Sequence, residues 1–212
     1  MKPRLLAILP LLALFACSRP SDDVEPPIED WVIRSHVVFV EADGVTPRPT
    51  PQTPMRLWMP YVVGDLYGSP NAGELVPVEL APDLSFTLNL NLGHLRLAKA
   101  LVPTRFSQKW MSIEPAAAQI ARLSPWVMPA DGITPLGLCE WLDADTGERL
   151  LLVYIDRPAR VRGEIVYEGR SLEFDIDAKQ AGFQWIHQPR ESGVYKPVPR
   201  PARLVLGVMP NS

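Results

Sequence analysis

Leu84, Phe86, Leu88, Leu90 and Leu92 alternate with Ser85, Thr87, Asn89 and Asn91. A strict period of two predicts a strand with one apolar and one polar face. Runs rich in β-branched and aromatic residues, punctuated by Gly, Pro and Asp, predict further strands over 31–40, 55–63, 75–80, 138–142, 150–155, 160–167, 172–176, 183–187 and 202–208. The strands over 160–167 and 172–176 form a hairpin around Glu168-Gly169. That turn sets Val161 against Ile176 and Ile165 against Leu172 on one face, and Arg160 against Asp177 and Arg162 against Asp175 on the other. Glu164 against Glu173 is its one like-charge pair.

One short helix is expected over 112–123. Pro115 suits a first turn, Ala116 to Ala118 are good helix formers, and Ser124-Pro125 supplies a stop. The expected fold is therefore mostly β, as one or two antiparallel sandwich-like units with that helix. One unit would cover 31–105 and the second 106–212, and the two may be read as a single larger domain. Residues 46–54 read Thr-Pro-Arg-Pro-Thr-Pro-Gln-Thr-Pro, a polyproline-like loop between two strands.

Composition narrows the class. Apolar residues make up 47% and charged residues 21% of 212 residues, as in ordinary globular chains. The 24 prolines are about double average usage and disfavour long helices. A formal charge of -3 argues against a sequence-independent nucleic-acid binder.

The N-terminus departs from this pattern. Lys2 and Arg4 precede an uncharged apolar run over 5–16, too short to span a bilayer as a helix. A basic start, a short apolar run and a small residue at its end mark a secretory signal. Leu14-Phe15-Ala16-Cys17 resembles the lipobox of bacterial lipoproteins. The resemblance implies cleavage after Ala16, with diacylglyceryl and acyl (palmitate-type) chains on Cys17. It further implies an envelope location, and Ser18 after the cysteine resembles the sorting default for an outer membrane, facing the periplasm. More than one chain anchors a protein stably where one does so marginally. Residues 17–30 then form a tether with three prolines, five acidic residues and little to bury. Removal of residues 1–16 takes Lys2 and Arg4 from the 21 basic side chains, so the charge of -3 becomes -5. Anionic headgroups would not attract such a domain, so the lipid must do the anchoring. Farther along, residues 74–92 are similar to a strand pair of transthyretin-like or carboxypeptidase-regulatory-like sandwiches, a resemblance that transfers no site.

Candidate chemistry is sparse. With Cys17 lipidated, Cys139 stands alone, flanked by Leu138 and Trp141, as a buried thiol is. His36, His94 and His187 have no metal-ligand spacing. Ser35, Ser69, Ser85 and Ser124 lie in no nucleophile elbow, and no cofactor fingerprint occurs. Asp143, Asp145 and Glu148 suggest calcium, but Gly147 and Tyr154 occupy the positions where an EF-hand needs ligands, so a hairpin turn is expected. Glu140 and Asp156 read as isolated carboxylates on strand ends. Arg157, Arg160 and Arg162, with Trp185, His187 and Tyr195, make a candidate surface for an acidic glycan or a protein partner. The competing reading is a solvated face paired with Glu164, Glu173, Asp175 and Asp177. The function expected is binding or assembly by a membrane-anchored accessory protein. The alternatives are an envelope hydrolase acting on cell-wall or polysaccharide material and a purely structural lipoprotein.

Overall fold

The computed structural model describes residues 31–63, 74–90, 111–118, 120–123, 125–167 and 169–210. The signal segment, Cys17, the tether and His94 lie outside them. The described residues are mostly β and contain no helix. The strands are β1 (Trp31–Phe39), β2 (Met55–Val63), β3 (Glu74–Val78), β4 (Ser85–Leu90), β5 (Met111–Glu114), β6 (Ile120–Leu123), β7 (Trp126–Pro129), β8 (Leu138–Asp143), β9 (Arg149–Ile155), β10 (Ala159–Tyr167), β11 (Arg170–Ala178), β12 (Gly182–Gln188), β13 (Gly193–Val198) and β14 (Leu204–Met209). They join in one mixed sheet whose main path runs β4-β1-β14-β8-β9-β12-β13-β11-β10-β5. β1 with β14 and β11 with β13 are parallel, and the other pairs are antiparallel.

The sheet forks at β9. One edge of β9 pairs with β12 along its whole length. The other edge pairs first with β8, at Leu150, and then with β6, from Leu152 to Ile155. β6 leads to β2, which also holds β3 and β7. β6 and β7 continue one another along β2: Trp58 faces Trp126, and three residues farther on Tyr61 faces Leu123.

β9 and β14 carry apolar side chains on both faces because both faces are covered. Leu150 and Leu152 enter the main core, while Leu151, Val153 and Ile155 enter a second one. Likewise Leu204, Leu206 and Val208 join the main core, and Val205 and Met209 a smaller cluster with Val40 and Leu142. Continuous apolar runs in place of alternation are what such strands require. The main core draws on β1, β4, β8, β9, β12 and β14 and also on Leu57, Val78 and Val127 from β2, β3 and β7. The second core lies among β9, β10, β11, β12 and β13.

Two expectations hold at residue level. In β4, Phe86, Leu88 and Leu90 are buried and Thr87 and Asn89 are exposed. The β10–β11 hairpin has the expected register, including Val161 opposite Ile176 and Glu164 opposite Glu173. Ser171 Oγ donates to Glu164 Oε1, which eases the like-charge pair.

The expected helix over 112–123 is corrected. Those residues form β5, a turn closed by Ala118 N–H donating to Pro115 O (2.9 Å), and β6. β10 and β9 offer open edges to them, and Ile113, Ala118 and Ile120 pack into the second core. Ladder bonds and burial outweigh the weak helix preference of three alanines. The boundary expected near residue 105 is crossed by strand pairing: β1 lies beside β14, and β2 beside β6 and β7.

Leu152 is fully buried at the fork. Leu152→Ala is expected to lower unfolding stability by about 2–5 kcal/mol, read from urea denaturation midpoints.

Candidate functional site

Concave surface lies on both sides of the β3–β4 turn. Ala81-Pro82-Asp83 turns the chain as their residue types predict. Leu84 N–H donates to Ala81 O at 2.8 Å, and Ala81 N–H to Ser85 O at 2.9 Å. Leu84 takes a left-handed backbone (φ 64°), held there as its side chain packs against the main core. Asp83 Oδ1 accepts Ser85 N–H (3.0 Å) and Oγ–H (2.7 Å). Those bonds hold the Asp83 carboxyl below its ordinary value, with a smaller contribution from His36.

Two grooves flank this turn and share Leu80, Ala81 and Pro82. One, of about 630 Å³, lies between residues 50–55 of the proline-rich loop and residues 80–84. The other, of about 860 Å³, is lined by Arg34, Ser35, Glu79 and residues 85–87. Their walls offer hydroxyls, an amide, proline rings, one guanidinium and two separated carboxylates. Such a set hydrogen-bonds and packs against a ligand. Asp83, Ser85 and His36 do come together here, since Ser85 is the cross-strand partner of His36. Yet Ser85 gives its proton to Asp83, not to the imidazole. A nucleophilic serine needs the base beside its hydroxyl and the carboxylate behind the base. The observed order caps a turn.

The second constellation is enclosed. Glu140, 6% exposed, is the one buried charged residue among those described. Its Oε2 lies 2.9 Å from Arg149 Nε on the neighbouring strand. Burial pushes the Glu140 carboxyl above its ordinary value, while Arg149, then Arg122 and Arg190, pull it back. Arg149 Nη2 also donates to Ala42 O (3.2 Å), and Arg190 Nη2 to Gly147 O (2.7 Å). The seam thus ties β8 and β9 to the segment after β1 and to the loop after β12. From its sequence context alone Glu140 reads as an isolated carboxylate. The available signal was its place between Cys139 and Trp141 on an otherwise apolar strand.

The six residues of the expected ligand surface separate. Arg157 pairs with Asp156 (2.9 Å), Arg160 with Asp177 (3.7 Å) and Arg162 with Asp175 (3.3 Å). Trp185 is buried in the main core, edge-on to Trp141 at 5.5 Å. Tyr195 is buried in the second core, stacked on Phe174 at 4.6 Å. His187 is half-buried, with Nδ1 3.4 Å from Val194 O. The aromatic rings therefore face two interiors, and the arginines lie on a face neutralised by carboxylates.

Asp143 to Glu148 form a turn between β8 and β9. Gly147 N–H donates to Asp143 O (2.7 Å), Asp143 Oδ1 accepts from Asp145 N–H (2.8 Å), and Arg203 pairs with Asp145 (2.6 Å). Among the described residues, no three His, Cys, Asp or Glu side chains gather as a metal site. The Cys139 thiol is buried and accepts Val127 N–H at 3.2 Å. Desolvation pushes its pKa up to about 11.

Two measurements check these assignments. Arg149→Met takes from buried Glu140 the strongest of its three counter-charges, with Arg122 and Arg190 remaining, and is expected to cost up to about 3–5 kcal/mol at neutral pH. A carboxyl whose folded pKa lies above its ordinary value loses folded-state support as pH rises through that window. The deficit in urea titrations is therefore larger at about pH 8 than at about pH 5, and adding Glu140→Gln removes the difference. In a Cys17→Ser chain, Cys139 is expected to resist a disulfide-exchange reagent at about pH 8 until denaturant is added. No family model, curated protein or solved structure matches this chain.

Proposed function

We propose that the chain is a lipid-anchored protein of the bacterial cell envelope that works by binding a partner, a protein or a glycan, at the membrane surface. The observation that carries this reading is Leu14-Phe15-Ala16-Cys17 at the end of a short apolar run with a basic start. Ser18 favours the outer membrane, facing the periplasm. The tether over 17–30 would stand the β domain off the bilayer. Within that domain, β2, β3 and β7 would form one layer of a sandwich-like unit over β4, β1, β14, β8, β9 and β12. The grooves beside residues 80–84 suit recognition, because their hydroxyls, amide and proline rings are displayed on loops held by a rigid sheet. The serine that meets a carboxylate and a histidine there, Ser85, gives its proton to Asp83 and caps the turn, which supports binding over hydrolysis.

The test is mass spectrometry of the N-terminal peptide from membranes, beside the same chain carrying Cys17→Ser. The wild type is expected to begin at a diacylglyceryl-modified, acylated Cys17. The variant is expected to keep residues 1–16 and to incorporate no labelled palmitate. An unmodified Met1 on the wild-type chain would overturn the reading.

A further inference from the structure

We propose that the proline-rich loop between β1 and β2 is itself a docking segment, presented as an extended polyproline strip to an aromatic-lined groove on a partner protein. This rests on the binding reading above and names the chemistry of the partner.

The loop is long for a connection within a domain, where about four to six residues is usual and longer ordered loops tend to be functional. Both ends of residues 40–54 are pinned. Val40 bridges Pro47, and Arg48 N–H donates to Phe39 O at 2.8 Å. At the far end Pro54 O accepts Ala130 N–H at 2.9 Å. Between these pins, among the described residues, the segment makes one hydrogen bond, from Gln52 Nε2 to Thr50 O at 3.4 Å.

Proline chemistry sets the conformation in between. Pro47, Pro49 and Pro51 lock φ near −65°. Arg48 and Thr50 each precede a proline and are held to extended conformations. Pro47 to Pro51 are thus kept extended before any partner arrives, between a bend at Thr46 and another at Gln52 and Thr53. A prearranged strip loses little entropy on binding, which is the basis of its recognition by aromatic grooves.

The strip is also presented. Pro47, Pro49, Thr50, Gln52, Thr53 and Pro54 are exposed. The groove of about 630 Å³ alongside residues 50–55 leaves room for a partner's side chains. Arg48 is the strip's one charge. Its contact with Glu41 is long (3.8 Å) and open to solvent, so it is worth little and is free to be exchanged for an acidic group at the rim of a partner's groove. A connector serving only to span β1 and β2 requires neither alternating prolines nor this exposure.

The experiment uses the full-length chain in its own cells. A benzophenone amino acid replaces Thr50, or Val166 as a control on the exposed β10 edge, and the cells are irradiated. Adducts are identified by mass spectrometry. The expected result is one discrete protein adduct from position 50 and none of that protein from position 166. The partner's cross-linked peptide should carry clustered aromatic and acidic residues. Pro49→Ala with Pro51→Ala should cut the yield by about tenfold or more, equivalent to about 1.4 kcal/mol. A synthetic peptide of residues 45–55 should compete, and its proline-to-alanine version should not. The competition arm holds even where the double variant perturbs folding. A proline-independent adduct, or an adduct to lipid or glycan, overturns the docking proposal. So does a protein adduct from position 166 alone, which leaves the binding reading standing. Absence of any adduct from positions 50 and 166, with Cys17 properly lipidated, overturns both.

Discussion

Strand β9 has no polar face. Leu150 and Leu152 point one way and Leu151, Val153 and Ile155 the other, all of them buried. Each face must be covered, so the strand carries a core on either side. Its edges must also be paired, because a buried backbone amide without a partner is costly. One edge is satisfied by β12. The other is too long for β8 alone, and β6 takes up the remainder. The fork in the sheet follows from that division. It brings Leu57, Val78 and Val127 of β2, β3 and β7 into the main core and leaves β10, β11 and β13 around the second.

On β8 and β9 the sheet carries Glu140 and Arg149. A buried carboxylate alone would be expensive, and its ion pair offsets that cost without making the site a net source of stability. The value of the pair lies in geometry. Arg149 reaches Ala42 as well as Glu140, and Arg190 reaches Gly147. Turns that converge from distant parts of the chain are thereby held in one arrangement. An apolar seam would tolerate sliding of these elements, whereas directional bonds do not.

The end of the sheet near residues 80–84 has the opposite character. Its polar groups lie in solvent, and its loops are held by short backbone bonds and by proline. The chain is held there by restricted dihedral angles together with the packing of Leu80 and Leu84 against the main core, so the surface stays open. That combination suits a docking role, since a partner meets the loop already in its bound shape.

Local chemistry was legible in the residues themselves. The alternation of β4, the register of the β10–β11 hairpin and the turn at Asp143 each depend on neighbours within about twenty residues, where period and turn preference act directly. The proline-rich loop was equally plain, and the lipid anchor proposed at Cys17 is read from residues 2–17 alone. β7 and β13 were not anticipated. Each is a short strand containing a proline, Pro129 and Pro197, and it is defined by its partner's edge more than by its own pattern. The tertiary structure alone decided that residues 112–123 become two strands, that β1 lies beside β14, and that Trp185 and Tyr195 turn to separate cores. It alone brought Arg149 to Glu140 across a strand pair and set the grooves beside the proline loop. These outcomes rest on contacts between segments far apart in the chain, and an amino acid's own preference carries no information about which distant edge or face will be free to receive it.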